Sequence, residues 1–274
     1  MKIYISADIE GIGCVVRQEQ STPDGREYAW ARKMMTAEVN AAIRGAFDGG
    51  AQEVVVSDSH NVGLNLIPDE LDQRAALIMG SPRPLCMMEG ISLGFDAVFL
   101  VGYHGMAGTA DSNLVHIFTR RIAEVRMNGT TVGEIGLSAG LAGYFGAPVA
   151  LVTGDDKAVS EARNLLPGVD TVEVKRAIGA YAALCVPPEK SRELIQEGAR
   201  RSMARKGAWP RFAMSPPVEL SVRFTTSSSV DRVLRMPGVE RIDGVTVRFC
   251  GSDFLEAFKA FNTMADIVEL IAYI

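Results

Sequence analysis

Four short apolar, β-branched runs punctuate the first half of the chain: Lys2–Ala7, Glu53–Ser57, Ala97–Gly102 and Pro148–Thr153. Runs without polar alternation suit strands covered on both faces. Their separation by longer amphipathic stretches is the pattern of a parallel α/β sheet. Between the first two runs, Tyr28–Asp48 repeats apolar residues at helical spacing and stops at Gly49-Gly50. A second helix, rich in Ala, Leu and Gly, is expected from Gly133 to Tyr144. It follows Ile122–Met127 and Thr130–Val132, which flank Asn128-Gly129, the strongest short-range hairpin signal.

After Pro167-Gly168 the pattern changes. Pro187-Pro188 opens a basic helix running to about Lys206, and Pro216-Pro217 precedes the alternating strand Val218–Thr225. A further hairpin turns at Asp243-Gly244, and a long amphipathic helix, Asp253–Ile271, closes the chain. The expected fold class is therefore α/β. A mainly parallel sheet domain with helices on both faces would occupy residues 1–165. A smaller mixed α+β domain, residues 166–274, would shape the site and take part in assembly.

Composition narrows the function classes. A net charge of −5 gives no basic face for nucleic acid, and Arg200-Arg201 with Arg205-Lys206 reads as a solvated helix face. The N-terminus reaches Asp8 after only a few apolar residues, too few for an export signal. No stretch approaches the roughly 20 apolar residues that span a bilayer. Cys14, Cys86, Cys185 and Cys250 are scattered without a C-x-x-C pair, as expected for buried free thiols of a cytosolic protein. A soluble cytoplasmic protein is expected, with neither nucleic acid nor membrane as partner.

The three histidines are the most informative residues. His60 lies two residues past Asp58, directly after one apolar run, and His104 follows another in Gly102-Tyr103-His104-Gly105. Asp8 and Glu10 end the first run in the same way. Ligands of open parallel sheets bind beyond the carboxyl ends of the strands. Alternation by two puts Asp8 and Glu10 on one side, and Asp58 and His60 likewise. Taken singly, each residue has a plain structural role, since histidines hydrogen-bond and acids cap helices. Taken together, three strands ending in imidazole and carboxylate point to zinc or a neighbouring transition metal rather than Ca²⁺ or Mg²⁺. Gly11-Ile12-Gly13 is too short for a dinucleotide fingerprint, and there is no P-loop.

Several segments also resemble the zinc D-aminopeptidases of the DppA type. They are Ser6-Ala7-Asp8-Ile9-Glu10-Gly11, Val56-Ser57-Asp58-Ser59-His60, Gly102-Tyr103-His104, and Asn128-Gly129 leading to Val132-Gly133-Glu134-Ile135-Gly136. The similarity continues through Gly154-Asp155-Asp156-Lys157 to Phe249–Ala257, so it covers essentially the whole chain. The resemblance implies two Zn²⁺ per subunit, held by Asp8, Glu10, His60, His104 and Glu134. It places a further active-site histidine, not a ligand, at His116. It also implies a short peptide substrate, with D-residue peptides as the class, and a ring-shaped homodecamer.

The chemistry of the residues agrees with that implication. Two metals about 3.5–4 Å apart, bridged by a carboxylate, share a hydroxide at neutral pH and polarise a carbonyl. Asp8, short and fixed by its strand, is the expected bridge. Glu10 and His60 would complete one ion, and His104 and Glu134 the other. His116 either aids the oxyanion or leaving amine, or is a structural histidine. Asp58 either orients a ligand such as His60 or caps its strand, and Asp155 either lines the rim or caps a helix. Cys14 is a conceivable thiolate nucleophile that a zinc enzyme does not need. Two rivals stand beside the aminopeptidase. One is a two-metal hydrolase of another amide, a peptidoglycan fragment or a phosphoester, the last of which would want arginine or lysine at the site. The other is a non-catalytic peptide-binding protein.

Overall fold

A computed structural model describes residues 1–269. In chain order the strands begin with β1 (Lys2–Ala7), β2 (Glu53–Asp58), β3 (Ala75–Ile78), β4 (Ala97–Tyr103), β5 (Ile122–Met127) and β6 (Thr130–Thr131). They continue with β7 (Val149–Asp155), β8 (Asp170–Gly179), β9 (Ala182–Cys185), β10 (Val218–Phe224), β11 (Glu240–Arg241) and β12 (Thr246–Gly251). The helices are α1 (Gln18–Ser21), α2 (Tyr28–Asp48), α3 (Glu134–Tyr144), α4 (Asp156–Leu165), α5 (Pro188–Met203), α6 (Ser227–Val233) and α7 (Phe254–Glu269). The end of the expected terminal helix, Leu270 and Ile271, lies outside the described residues.

The first sheet has seven strands in the order β3-β2-β1-β4-β7-β8-β9. All its pairings are parallel except β8 with β9. The apolar runs sort by parity, as a strand buried on both faces requires. Ile3, Ile5, Val54, Val56, Phe99 and Val101 pack with α2 and α5 on one face. Tyr4, Val98, Leu100 and Val152 pack on the other, with α3 and α4. The sheet is thus covered on both sides by helices, as the alternation of patterns predicts.

The second sheet has five strands, β11-β12-β10-β5-β6, and its pairings are antiparallel. Here the chain departs from a simple division at residue 165. The β5–β6 hairpin from the first half pairs with β10, while β8, β9 and α5 from the second half build onto the first sheet. One apolar cluster contains Val98 and Val152 of the first sheet together with Leu220, Val247 and Phe258 beside the second. A cut near 165 separates two lengths of chain but neither the sheets nor their core. Helix α7 lies against α3, where a Cβ on Gly140 would stand 2.0 Å from the Phe254 ring. Only glycine admits that contact.

The four cysteines are free, as expected, but only partly buried, and Cys250 is exposed because it faces outward from β12. No helix among the described residues is long and apolar enough to cross a membrane.

Candidate metal centre

The central strands β2, β1 and β4 lie side by side and end at the same edge. Asp8 stands one residue past β1, His104 one past β4, and His60 two past β2. Glu134 is the first residue of α3, which the β5–β6 hairpin delivers to that edge. Asp8, Glu10, His60, His104 and Glu134 come together in one cluster.

Asp8 occupies the middle. His60 Nδ1 lies 3.3 Å from Asp8 Oδ1 and 2.9 Å from Glu10 Oε2. His104 Nε2 lies 3.6 Å from Asp8 Oδ2 and 3.4 Å from Glu134 Oε2. The two oxygens of Asp8 therefore face different imidazoles, which is how a bridging carboxylate is disposed. Asp8, Glu10 and His60 form one group, and Asp8, His104 and Glu134 a second, with ligand atoms in each within 4.8 Å of one another. A third grouping, Glu10 with His104 and His116, meets the same limit.

The imidazoles are aimed by backbone carbonyls rather than by Asp58. His60 Nε2 donates to Ser21 O at 2.6 Å and His104 Nδ1 to Gly105 O at 2.9 Å. Each bond uses one ring nitrogen and turns the other toward the carboxylates. Asp58 instead accepts from the backbone of Asn65 and Leu66 and from the Asn65 amide, so it shapes the 58–66 loop at the strand end. Asp155 is the N-cap of α4, accepting from Lys157 N and Ala158 N. Its helix-capping role prevails over the rim.

Asp8 Oδ2, Glu10 Oε2 and His104 Nε2 are buried without a hydrogen-bond partner. For Glu10 Oε2 this holds despite the nearby imidazole, because the approach lacks hydrogen-bond geometry. Buried polar atoms left unpaired need an explanation, and a cation shared among them supplies one. Nitrogen and carboxylate donors in this mixture fit zinc. The charge balance agrees. Burial, reinforced by the charge of Glu10, pushes Asp8 up to about 7. Burial works against a charged His104, but Glu134 and Asp8 outweigh it and hold the imidazole up at about 10. Burial likewise opposes a charged His60, and Glu10 with Asp8 overcomes it. A carboxylate field strong enough to keep protons on two imidazoles also attracts a divalent cation, whose binding displaces them.

His116 sits beside this cluster. Its ring stacks on His104 with centroids 4.3 Å apart, and its Nε2 lies 3.8 Å from Glu134 Oε1. Nδ1 donates to Leu114 O at 2.8 Å. Leu114 and Phe118 both have positive φ, 54° and 59°, so His116 rides between two left-handed residues. Such backbone is costly for large side chains and persists where the surroundings enforce it. The turn at Phe118 lets its N–H donate to Glu134 Oε1 at 2.7 Å. Burial and His104 lower the pKa of His116, favouring a neutral ring able to take up a proton.

Three supports had no sequence signal that spacing reveals. Lys175, buried on β8, donates to Glu10 O and Val15 O and clamps the loop that carries Glu10. Glu161 on α4 accepts from Met106 N and Gly133 N, joining the segments of His104 and Glu134. Arg120 and Arg121 line the cleft beside the cluster, although the ligand-bearing segments themselves carry few basic residues. Cys14 points away from nucleophilic chemistry, since burial and the neighbouring Cys185 push its thiol up to about 11.

Gly102 marks how tightly the strand ends are drawn together. Its φ is +75°, and an added Cβ would lie 2.2 Å from Asp8 O. Gly102→Ala is expected to cost roughly 2–4 kcal/mol of stability, because strain and collision act together. Denaturant unfolding checks this, and a midpoint matching wild type would show that the contact yields.

A sequence model of the D-aminopeptidase family matches residues 1–263. A D-aminopeptidase of Bacillus subtilis (strain 168) is 35% identical over 268 residues, 97% of each chain. The solved structure of a relative described as the "Zn-dependent D-aminopeptidase DppA from Bacillus subtilis, a self-compartmentalizing protease" superposes with a TM-score of 0.97 and 34% identity. That match covers all of both chains. A carboxylate–imidazole cluster at three strand ends, set in a fold shared from end to end with such relatives, places this chain in the D-aminopeptidase family.

Proposed function

We propose that this chain is a binuclear zinc D-aminopeptidase that releases the N-terminal residue of short D-amino-acid-containing peptides. The observation that carries the reading is Asp8, whose two oxygens face separate imidazole–carboxylate groups. Asp8, Glu10 and His60 would hold one ion, and Asp8, His104 and Glu134 the other. Bound zinc supplies Lewis acidity and makes water a nucleophile at neutral pH, which amide hydrolysis requires.

The protein's own groups do the rest. Glu134 is oriented by the Phe118 N–H, and Glu10 by the loop that Lys175 clamps. Neutral His116, its Nε2 turned toward Glu134, is placed to stabilise the developing oxyanion or to carry a proton to the departing amine. The cleft over the cluster, about 660 Å³, suits a short peptide. The self-compartmentalising description of the Bacillus relative supports a closed homo-oligomer, which we take to be a cytoplasmic homodecamer.

The test is elemental analysis of protein purified without chelator. About two zinc ions per chain are expected, because five protein ligands are too many for one open catalytic ion. Chelation should abolish cleavage of a D-aminoacyl substrate, and added Zn²⁺ should restore it. Zinc near zero after reconstitution would refute the site, and a single ion per chain would refute the bridge.

A further inference from the structure

The cleft that exposes the carboxylate cluster is also lined by Arg120 and Arg121. Some arginines of this chain, Arg74, Arg126 and Arg200 among them, lie on neighbouring carboxylates, and others, such as Arg32 and Arg83, bind backbone carbonyls. Arg120 instead donates to the neutral amide oxygen of Gln18 at 2.5 Å, and among the described residues neither Arg120 nor Arg121 has an acid within ion-pair distance. Two guanidinium groups at a substrate cleft, uncommitted to protein acids, are donors waiting for an anion.

Their backbone is anchored. Arg121 N donates to Thr119 Oγ1 at 3.3 Å, and Arg121 O accepts from Thr225 N at 2.9 Å. Thr119 Oγ1 in turn donates to Glu269 Oε2 of α7 at 2.5 Å. The pair therefore stands on a platform tied to the end of β10 in the second sheet and to α7. It is also close to the chemistry, since Phe118, whose N–H touches Glu134, is two residues before Arg120. Two residues span at most about 7 Å of chain, and one peptide residue spaces consecutive Cα atoms by about 3.8 Å. A carboxylate one or two residues beyond a scissile bond held at the cluster falls within reach of these side chains.

We propose that Arg120 and Arg121 form a subsite for the free C-terminal carboxylate, which selects di- and tripeptides bearing that group. This inference rests on the aminopeptidase reading for the position of the scissile bond. It explains the selection of short peptides by charge, where the metal cluster alone recognises only the bond to be cut. Guanidinium–carboxylate hydrogen bonds are charge-assisted and stronger than neutral ones.

The experiment compares D-alanyl-glycine with D-alanyl-glycinamide. Wild-type enzyme should prefer the free acid by roughly 10- to 100-fold in kcat/KM, chiefly through KM. In the Arg120→Gln/Arg121→Gln double variant that ratio should collapse toward one, and Arg120→Lys/Arg121→Lys should restore part of it. Titration calorimetry of both peptides against zinc-loaded His116→Ala protein, with and without the arginine changes, reads the same preference without turnover. Equal use and equal binding of acid and amide by wild type would overturn the subsite. A double variant that keeps the wild-type ratio, including one that loses both peptides by the same factor, would overturn it too. Cleavage of neither peptide by zinc-loaded wild type would refute the aminopeptidase reading instead, and the binding preference would still decide the role of the arginines.

Discussion

Replacing His104 with alanine should strip zinc from the site and lower turnover by at least about 10³-fold. Lewis-acid stabilisation amounts to several kcal/mol, and about 1.36 kcal/mol corresponds to each tenfold in rate. His104 is 2% exposed, its Nδ1 is occupied by Gly105 O, and its Nε2 faces Asp8 and Glu134 without a hydrogen bond. In the proposed assignment, the ion held by Asp8 and Glu134 would lose its nitrogen ligand. Loss of zinc should be at least one ion per chain, read by elemental analysis beside the rate. Retention of two ions with near-normal turnover would remove His104 from the ligand set and with it the proposed division of the metals.

His116→Ala should fail differently. Positioned acid–base or oxyanion groups contribute about 10²–10⁴-fold, and that loss is expected here with both zinc ions still bound. The geometry makes the comparison sharp, because the two rings are stacked and both approach Glu134. One faces it with a nitrogen that also meets Asp8, and the other from the cleft side, where His116 belongs to the lining. Since Glu10, His104 and His116 also satisfy the spacing of a metal group, zinc loss in His116→Ala would reassign His116 as a ligand. Full activity would make it structural.

The strand ends were legible because burial on both faces leaves an unbroken apolar run, and polar residues just beyond such runs stand out. Asp8, His60 and His104 follow β1, β2 and β4 in this way. The Asn128-Gly129 turn marked a hairpin leading into α3, but Glu134 at the start of that helix was singled out only by the family resemblance. Other features leave no such trace. Strand β8 alternates buried and half-exposed residues from Asp170 to Gly179, so it does not resemble the runs it joins. Sheet membership depends on long-range pairing of β5 with β10, which no local pattern encodes. The carbonyls that turn His60 and His104 belong to Ser21 and Gly105, and every residue type carries a carbonyl. The arginine platform lies in irregular backbone, where neither helical nor strand periodicity applies.

The contact between α3 and α7 bears on when the protein becomes competent during its synthesis. All the candidate ligands have been translated once the ribosome passes residue 134, but Gly140 of the helix that begins there rests on Phe254, near the end of the chain. The β5 strand that leads into that helix likewise waits for β10, whose first residue is Val218. A nascent chain still lacking its last helix can gather Asp8, Glu10, His60 and His104 at the parallel strand ends while Glu134 has no settled position. The order of synthesis thus sets Glu134 apart from the other four: its helix gains its packing partners only once β10 and α7 have been made.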